Sequence, residues 1–356
     1  MMKALILAGG KGTRLRPLTY TLPKHLLPVA NKPILFYGIE QIIAAGIRDI
    51  GIVVSPETGD ELKAALADSS RWNARFTFIL QTTPLGLAHA VKTAREFLAD
   101  DVFLLFLGDN LIQDGVAALV DEFEAESPEA LIVLKEVADP RAFGVAEIDA
   151  SGHVTRVVEK PKEPRSNLAV IGAYIFTPFV HQIIDQLQPS WRGEYEITDA
   201  IQKILESGKE IRSHVLKGWW LDTGKKEDLL EANQTLLDEY VKRSIRGDVN
   251  AGSQISGRVE IFEGSRIENS IIRGPVSIAS GCRITNSYIG PYTSIGAGTV
   301  IDRSSVDYSV VLDNSRIENI DRLVDSIIGR HVEVRRQKQG KENLRLFVGD
   351  YSRLDF

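Results

Sequence analysis

The stretch ISGRVEIFEGSRIENSIIRGPVSIASGCRITNSYIGPYTSIGAGTVI, residues 255–301, decides the fold of the C-terminal part of the chain. Isoleucines recur in it six residues apart, in triplets that begin 17 residues apart: Ile255, Ile261, Ile267, Ile272, Ile278, Ile284, Ile289, Ile295 and Ile301. Val306 and Leu323 continue the series, and serines repeat at Ser270, Ser287 and Ser304. An apolar hexapeptide repeat, three per turn, is typical of a parallel β-helix, in which each side contributes one inward side chain. The alternative is a β-sandwich with accidental spacing, and nine isoleucines in register argue against it.

The first 240 residues follow a different pattern, in which short apolar runs alternate with longer amphipathic stretches. The predicted strands are Ala4–Ala8, Ile50–Val54, Thr77–Leu80, Val102–Leu107, Leu131–Lys135, Val145–Ile148 and Val170–Phe176. The predicted helices are Pro33–Ala45, Asp60–Asp68, Leu87–Phe97, Ile197–Leu205 and Leu229–Arg243. Strands that are apolar throughout are buried on both faces, so the alternation predicts an α/β domain with a parallel sheet covered by helices.

The change of period suggests the domain organisation of the 356-residue chain. We expect an α/β domain over residues 1–240, a β-helix over 241–345 and a C-terminal tail over 346–356. A length of this size agrees with roughly two domains of about 150 residues.

Composition and charge exclude several classes of protein. Hydrophobic residues make up 44% and charged residues 25%, as in ordinary globular proteins. Lysine and arginine number 42 against 48 acidic residues, a net charge of −6, so we expect no nucleic-acid partner. Cys282 is the only cysteine, which fits a reducing compartment and predicts a cytoplasmic location. The apolar run Ala4–Ala8 is too short for a signal peptide, and we expect no membrane association.

A glycine-rich loop follows the first predicted strand and reads Gly9-Gly10-Lys11-Gly12-Thr13-Arg14-Leu15. Glycines after a buried strand let backbone N–H groups approach a phosphate closely. The spacing matches neither the dinucleotide-binding fingerprint nor the P-loop. Taken alone, the loop is equally consistent with a simple glycine turn carrying a solvated arginine.

The wider sequence around this loop narrows the choice. The segments LAGGKGTRL at 7–15, PKHLLPV at 23–29 and KPI at 32–34 resemble the sugar-1-phosphate nucleotidylyltransferase family, and within it the glucose-1-phosphate thymidylyltransferases. The resemblance covers residues 3 to about 235. These enzymes join a sugar 1-phosphate to a nucleoside triphosphate and release pyrophosphate. The resemblance implies a Rossmann-like mixed sheet, and the added repeat implies a long form with a left-handed β-helix.

The resemblance also implies a nucleotide site. In the matched motifs, the phosphates would be bound by the cations Arg14 and Lys24 and by the loop residues Gly9, Gly10, Gly12 and Thr13. Gln81 would hydrogen-bond the base edge, and Gly86 would let the base approach. An amide both donates and accepts, so it can pair with a pyrimidine imide. It does not distinguish thymine from uracil, and dTTP and UTP both remain candidates.

Two further segments match the part of the family that binds the sugar phosphate. In VEKP at 158–161, Glu159 would accept hydrogen bonds from sugar hydroxyls and Lys160 would contact the phosphate. Gly144 and Val170 complete the predicted sugar-binding set, and Arg192 in RGEYEITD would be another phosphate ligand, suited to bidentate contact. Thr198 and Asp199 are interpreted as a helix start, because both residue types cap helices well.

The implied reaction is an in-line attack by a phosphate oxygen on the α-phosphorus of the triphosphate. A phosphate monoester is already largely ionised at pH 7, so the site needs cations and a metal more than a general base. Asp109, at the end of an apolar strand, and Asp222, in WWLDTG, match the metal ligands of the family. Carboxylates at this edge of an α/β sheet suit Mg²⁺.

The role of the β-helix and the activity of the whole chain remain open at this stage. We favour a platform for a homo-oligomer; the alternatives are a second site for acetylation of amino sugars and a regulatory ligand site. Acetyl transfer normally uses a general base, and His331 is the one histidine within the coils. The six histidines are interpreted as structural. A catalytically idle regulatory subunit is the other class considered, and the presence of Arg14, Lys24, Asp109, Lys160 and Asp222 favours an enzyme.

Overall fold

The structure is a computed structural model that describes residues 2–336 and 343–356. The chain divides into two compact units. The first comprises Met1–Lys11 and Leu35–Leu221, and the second comprises Gly12–Ile34 and Asp222–Phe356. The glycine-rich loop is therefore shared between the units, and helix Lys226–Tyr240 belongs to the second. The division between an α/β domain and a β-helix domain at residue 240 stays a prediction.

The elements before residue 241 agree closely with the alternation in the sequence. The strands are β1 (Lys3–Leu7), β2 (Pro28–Val29), β3 (Lys32–Pro33), β4 (Asp49–Val54), β5 (Arg75–Leu80), β6 (Phe103–Leu107), β7 (Asn110–Ile112), β8 (Ala130–Glu136), β9 (Gly144–Ile148), β10 (Val154–Glu159), β11 (Leu168–Phe176), β12 (Ile211–Val215) and β13 (Trp220–Asp222). The α-helices are α1 (Ile34–Ala44), α2 (Gly59–Ala65), α3 (Ser69–Trp72), α4 (Leu87–Thr93), α5 (Arg95–Leu98), α6 (Ala117–Glu126), α7 (Phe179–Ile184), α8 (Ile197–Glu206) and α9 (Lys226–Tyr240).

The first unit is built on a nine-stranded mixed sheet, as the resemblance implied. Its order is β10-β9-β11-β6-β1-β4-β5, with β8 paired to β11 and β12 paired to β8. Strands β6, β1, β4 and β5 are parallel, and β11 runs antiparallel to β6. The central strands are buried on both faces: Leu5, Leu104 and Phe106 are 0% exposed. This burial explains why the strands are apolar throughout rather than alternating.

The sheet register determines which residues share its functional edge. Gly9, Gln81 and Asp109 follow the carboxyl ends of the parallel strands β1, β5 and β6. Ala173 of β11 lies opposite Phe106, and Val170, further along β11, lies opposite Gly144. Val170 and Gly144 therefore lie beyond the carboxyl end of β6. Ligands of open α/β sheets bind at this edge.

The second unit contains a three-sided parallel β-helix. Its strands are β14 (Ser244–Ile245), β15 (Asp248–Val249), β16 (Gln254–Ser256), β17 (Val259–Ile261), β18 (Arg266–Glu268), β19 (Ile271–Arg273), β20 (Val276–Ile278), β21 (Arg283–Thr285), β22 (Tyr288–Ile289), β23 (Thr293–Ile295), β24 (Val300–Asp302), β25 (Ser305–Asp307), β26 (Val310–Val311), β27 (Arg316–Glu318), β28 (Arg322–Val324), β29 (Ile327–Ile328), β30 (Glu333–Arg335), β31 (Asn343–Leu344), β32 (Phe347–Val348) and β33 (Arg353–Asp355). Every third strand joins the same sheet, so three parallel sheets form the sides of the helix.

The repeat in the sequence corresponds to the register of these sheets. Ile267 pairs with Ile284, and Ile284 pairs with Ile301, each one coil later. All three are 0% exposed and lie in one apolar core. The prediction of a left-handed β-helix is confirmed. Residues 346–356, predicted as a tail, include β32 and β33, which pair with β29 and β30 and extend two sides of the β-helix.

The repeated serines form a hydrogen-bonded ladder inside the coils. The amide of Ser287 donates to Ser270 Oγ at 3.0 Å, and the amide of Ser304 donates to Ser287 Oγ at 3.1 Å. Each hydroxyl in turn donates to a carbonyl two residues before it. A buried amide without a partner would cost about 1–3 kcal/mol, so the ladder explains why serine repeats at this position.

Within residues 2–336 and 343–356, no helix combines the length and hydropathy that crossing a bilayer requires.

Candidate active site

The start of the glycine-rich loop lies beside the predicted base-binding residue. Strand β1 ends at Leu7, and the amide of Ala8 continues the β1–β4 ladder by donating to Val53 O at 2.8 Å, directly before Gly9. A Cβ atom on Gly9 would lie 3.6 Å from Gln81 Oε1 and 3.6 Å from the Ser55 amide. The backbone of the loop and the Gln81 amide are thus neighbours at the carboxyl edge of the sheet.

Gln81 itself is held by a histidine. It is 7% exposed, and its Nε2 atom lies 2.9 Å from Nδ1 of His89, on α4. Burial, followed by the charge of Lys92, lowers the pKa of His89 below its usual 6.5. The imidazole is therefore neutral near pH 7 and can accept a hydrogen bond from the amide nitrogen. The sequence interpretation treated this histidine as structural and missed the contact.

Gly86 is required by the backbone that approaches it. Its φ is +106°, and a Cβ atom there would lie 2.5 Å from Tyr195 O and 2.8 Å from Tyr195 N. The ring of Tyr195 stacks on that of His89 at 6.3 Å. Gly86 thus packs directly against the backbone of Tyr195, whose ring stacks on His89. This packing is additional to the role at the base that the sequence predicts.

Of the other predicted phosphate-binding residues, Gly10 belongs to the first unit, whereas Gly12, Thr13, Arg14 and Lys24 belong to the second. Gly12 has a left-handed φ of +61°, and a Cβ atom there would lie 3.0 Å from Lys24 Cβ. Thr13, Arg14 and Leu15 form a 3₁₀ turn directly after it. A Cβ atom on Gly224 would lie 2.9 Å from Arg14 Nη2 and 3.2 Å from Asp222 Oδ1. Glycine at 224 therefore leaves room for Arg14 next to Asp222, which the sequence interpretation did not foresee.

The predicted sugar-binding residues come together around Glu159. Thr198 Oγ1 donates to Glu159 Oε2 at 2.9 Å. A Cβ atom on Gly144 would lie 2.5 Å from Thr198 Cγ2, 3.4 Å from Glu159 Oε2 and 3.6 Å from Val170 Cβ. Helix α8 begins at Ile197 with Glu196 at its N-cap, so Thr198 lies in the first turn, near the predicted helix start, but does not cap the helix. Its hydrogen bond to Glu159 was missed, because helix capping already explained a threonine there.

Positive charge surrounds the same carboxylate. Lys160 Nζ and Arg192 Nη1 each lie 3.4 Å from Glu159 Oε1. Arg192 also lies 3.1 Å from Glu194 and 3.3 Å from Glu196, so three carboxylates share its guanidinium. Burial raises the pKa values of Glu196 and Asp199, and the charge of Glu159 raises them further. The carboxylates form a partly buried acidic cluster, in which only Glu196 is fully buried, and Lys160 and Arg192 balance its charge.

A hydrogen-bonded chain orients Asp109 after β6. The amide of Gly108 donates to Leu7 O at 3.0 Å, which continues the β6–β1 ladder to the edge. Asn110 Nδ2 donates to Asp109 Oδ1 at 3.1 Å, and Asn110 Oδ1 accepts from Trp220 Nε1 at 2.6 Å. A Cβ atom on Gly172 would lie 2.8 Å from Asn110 Oδ1, so this chain also needs a glycine on β11.

A surface cavity of about 640 Å³ lies elsewhere, at the amino ends of β1, β4 and β5. Two of its cations are paired with carboxylates: Lys3 with Asp101 at 2.8 Å, and Arg75 with Asp49 at 2.6 Å. None of the predicted site residues is in its lining. The opposite, carboxyl edge is therefore the candidate active site.

Comparison with known proteins agrees with this geometry. The profile of the family described as nucleotidyl transferase matches residues 3–239. The chain belongs to the nucleotidyl transferase family. It is 47% identical over 352 residues to a glucose-1-phosphate thymidylyltransferase of Streptomyces griseus, covering 99% of each chain. It is 46% identical to the low-salt glycan biosynthesis nucleotidyltransferase Agl11 of Haloferax volcanii, again covering 99% of each.

A solved structure resembles the transferase part. The putative glucose-1-phosphate thymidylyltransferase from Bacillus anthracis is 36% identical, with a TM-score of 0.62. The match covers 65% of this chain and 94% of the other. The predicted family and the enzyme class are thus confirmed for this nucleotidyl transferase.

The structure brings most predicted site residues of this nucleotidyl transferase into local groups. Gly9 lies with Gln81, and Gly12 with Lys24; Arg14 lies with Asp222; and Gly144, Lys160, Val170 and Arg192 surround Glu159. Gly10 is exposed in the loop. The individual roles of these residues stay predictions. Five positions escaped sequence reasoning: His89, Asn110, Gly172, Thr198 as a hydrogen-bond donor, and Gly224.

Proposed function

We propose that this protein is a glucose-1-phosphate thymidylyltransferase. A phosphate oxygen of glucose 1-phosphate attacks the α-phosphorus of dTTP, and the bond from that phosphorus to the β-phosphate bridge breaks. The products are dTDP-glucose and pyrophosphate. Because the attacking phosphate is already ionised, the reaction depends on alignment and charge neutralisation.

One observation carries the proposal: the buried amide of Gln81 and the partly buried carboxylate of Glu159 lie at the same edge of one sheet. Gln81, with its nitrogen engaged by His89, presents its oxygen beside Gly9. Glu159, next to Gly144 and hydrogen-bonded to Thr198, offers acceptors suited to sugar hydroxyls. The pair matches a product, dTDP-glucose, that has the base at one end and the glucose at the other. Full-length relatives named glucose-1-phosphate thymidylyltransferase support the choice of dTTP and glucose.

The charges of the two substrates call for cations, and the chain supplies them from separate segments. We assign the triphosphate to the cations Arg14 and Lys24 and to the loop residues Gly9, Gly10, Gly12 and Thr13. Lys160 and Arg192 are assigned to the sugar phosphate. A phosphate entering beside Arg192 would compete with the carboxylates that now share its guanidinium. Arginine can bind a phosphate through two parallel N–H···O bonds, as it binds a carboxylate.

We further propose that Asp109 and Asp222 hold Mg²⁺. Their carboxylate oxygens are the ligands this ion prefers, and Asn110 orients that of Asp109. No group of three or more candidate ligands occurs in the described part of the chain, which suits an ion completed by water and substrate phosphates. When bound, the ion would neutralise charge on the phosphates.

For the assembly, we propose a homo-oligomer formed through the β-helix, in the cytoplasm. The single cysteine, Cys282, agrees with a reducing compartment. His331 stacks on Tyr351 at 4.9 Å, with the planes 7° apart, and we assign it no part in acetyl transfer. Sedimentation analysis of the full chain tests the assembly, and a monomer at all concentrations would contradict it.

A pyrophosphate-release screen tests the reaction. It pairs dTTP, UTP, CTP, ATP and GTP with glucose 1-phosphate, galactose 1-phosphate and N-acetylglucosamine 1-phosphate. The expected result is the highest kcat/KM for dTTP with glucose 1-phosphate, with dTDP-glucose identified by mass spectrometry. Higher kcat/KM with UTP would make the protein a uridylyltransferase, and no turnover with any pair would favour a regulatory subunit.

A further inference from the structure

The nucleotide loop, defined here as residues 12–34, is fastened to the β-helix inside the second unit. Its hairpin β2–β3 turns at Ala30 and Asn31, whose φ values are +48° and +61°. Two left-handed residues are the signature of a type I′ turn. An alanine in this conformation is strained, and such strain persists only where surrounding contacts hold it.

The first contact comes from the side chain of Asn31. Its Nδ2 atom donates to Ser277 O at 3.1 Å and to Ile295 O at 3.1 Å, and it lies 3.0 Å from Ser277 Oγ. Ser277 and Ile295 belong to β20 and β23, neighbouring strands on one side of the β-helix. The tip of the loop is therefore bound across two successive coils.

The second contact is a fully buried amide on α9. Asn233 is 0% exposed. Its Oδ1 atom accepts from the Ala30 amide at 2.9 Å and from Ser294 Oγ at 2.8 Å, and its Nδ2 donates to Tyr292 O at 3.0 Å. The side chain of Asn233 thus connects α9 with the nucleotide loop and with the β-helix. Both its oxygen and its nitrogen have hydrogen-bond partners, as buried amides normally do.

The last coil binds the loop at a separate place. Thr21 Oγ1 donates to Asp350 Oδ2 at 2.8 Å, and Arg330 Nη2 donates to Thr21 O at 3.2 Å. The Asp350 side chain is 1% exposed and also accepts from Arg330 Nε at 2.8 Å. A Cβ atom on Gly349 would lie 3.0 Å from Pro17 Cβ, so the last coil packs closely on the loop.

We infer that the β-helix is part of the nucleotide site, and that Asn31, Asn233 and Asp350 are positioning residues for triphosphate binding. Arg14 lies three residues before Pro17, and Lys24 lies three residues after Thr21, so both cations flank the contact with the last coil. The inference rests on the proposed function, since it assigns the triphosphate to these cations. On this inference the β-helix contributes to triphosphate binding, by positioning the nucleotide loop, as well as to assembly.

Asn31→Gly tests this directly in the full-length chain. Glycine tolerates the left-handed backbone, so the substitution removes the amide contacts without adding strain. The matched control is Asn286→Gly. Asn286 also has a left-handed φ, of +50°, but lies at the corner between β21 and β22, away from the strands that contact Asn31. Thr21→Val is the second variant, and it removes the bond to Asp350.

The expected result is a KM for dTTP raised about tenfold in Asn31→Gly, with the KM for glucose 1-phosphate within twofold of the wild type. Thr21→Val raises the KM for dTTP by a smaller factor, and the Asn31→Gly/Thr21→Val double variant raises it by the largest factor. Asn286→Gly leaves both KM values unchanged. Hydrogen–deuterium exchange of peptides covering residues 12–34 becomes faster in the loop variants and stays unchanged in the control.

Either of two results would overturn the inference: unchanged exchange in the Asn31→Gly loop, or faster exchange with an unchanged KM for dTTP. Exchange does not depend on turnover. If the wild type turns over no triphosphate, the proposed function fails, and the inferred role in triphosphate binding fails with it, whereas the exchange data still report whether the coils hold the loop.

Discussion

The side-chain nitrogen of Gln81 lies 2.9 Å from Nδ1 of His89, so the two residues determine each other's hydrogen-bonding state. The amide nitrogen can only donate, and Nδ1 must therefore accept and carry no proton. The burial that lowers the pKa of His89 favours this neutral form. With its nitrogen directed at His89, Gln81 keeps its oxygen as the acceptor that the proposed function assigns to the N–H group of a pyrimidine.

His89→Phe should weaken binding of the pyrimidine. Phenylalanine can keep the stacking on Tyr195 but offers no acceptor, so the Gln81 amide loses its preferred orientation. We expect the KM for dTTP to rise roughly tenfold, the effect of losing about one hydrogen bond, with the KM for glucose 1-phosphate unchanged. Initial-rate kinetics measure both values. An equal rise in both KM values would indicate a general structural defect instead.

The contact between Gln81 and His89 should make both folding stability and dTTP affinity depend on pH. Above the usual pKa of 6.5 the ring is neutral in both the folded and the unfolded chain. Below it, the unfolded chain binds a proton that the folded chain resists, so stability falls as pH falls toward the lowered pKa. Once protonated, Nδ1 becomes a donor facing the donor of Gln81, and affinity for dTTP falls as well.

Comparison with His89→Phe isolates this effect, because the phosphates of the substrates also titrate near pH 6. The ratio of kcat/KM for dTTP, wild type over variant, should be constant above pH 6.5 and decline at lower pH. A ratio that stays constant down to pH 5 would contradict a role for His89 protonation.

Gly144→Ala should disturb the proposed sugar-binding residues around Glu159. The added methyl would lie 2.5 Å from Thr198 Cγ2, far inside contact distance. We expect kcat/KM for glucose 1-phosphate to fall about 100-fold, equivalent to about 2.7 kcal/mol. Thr198→Ser removes the clashing methyl and keeps the hydroxyl that donates to Glu159. The double variant should recover most of the activity, and failure to recover would show that the clash is not the cause.

Asp109→Asn and Asp222→Asn should each abolish Mg²⁺-dependent pyrophosphate release. An amide lacks the charge that binds a hard divalent cation, so higher Mg²⁺ should restore little activity. Asp60→Asn is the control, because the Asp60 side chain is 96% exposed on α2. Magnesium titrations with and without EDTA provide the measurement. Near-normal turnover in either variant would remove that residue from the metal site.

Cys282 should be unreactive in the folded protein. It is 0% exposed, its Sγ donates to Gly296 O at 3.1 Å, and burial raises its pKa to about 11. At pH 8 only about one thiol in a thousand would be ionised, and the thiolate is the reactive form. A thiol reagent such as Ellman's should label it only after denaturation in guanidinium. Rapid labelling of the native chain would contradict the closed core of the β-helix.

Much of the candidate site could be predicted because its motifs are local. Gly9, Gly12 and Arg14 lie within one short loop, and the VEKP segment places Lys160 beside Glu159. The partners that orient these residues are distant in the chain. Thr198 is 39 residues from Glu159. A hydrogen bond over that separation produces no regular spacing that could be recognised in the sequence. His89 is close to Gln81 in sequence, but a histidine on a helix has many possible partners.

By itself, the sequence determined the β-helix and the α/β character of the first unit. The reason is that periodicity is a local property: a side chain that recurs every sixth position faces inward whatever the rest of the chain does. Only the tertiary structure decided that Asn31 and Asn233 bind the nucleotide loop to the coils. The amide of Ala30 donates to Asn233, which is 203 residues away in the chain. Polar contacts over such separations depend on how the folded helices and strands pack against one another. No repeat or motif records that packing.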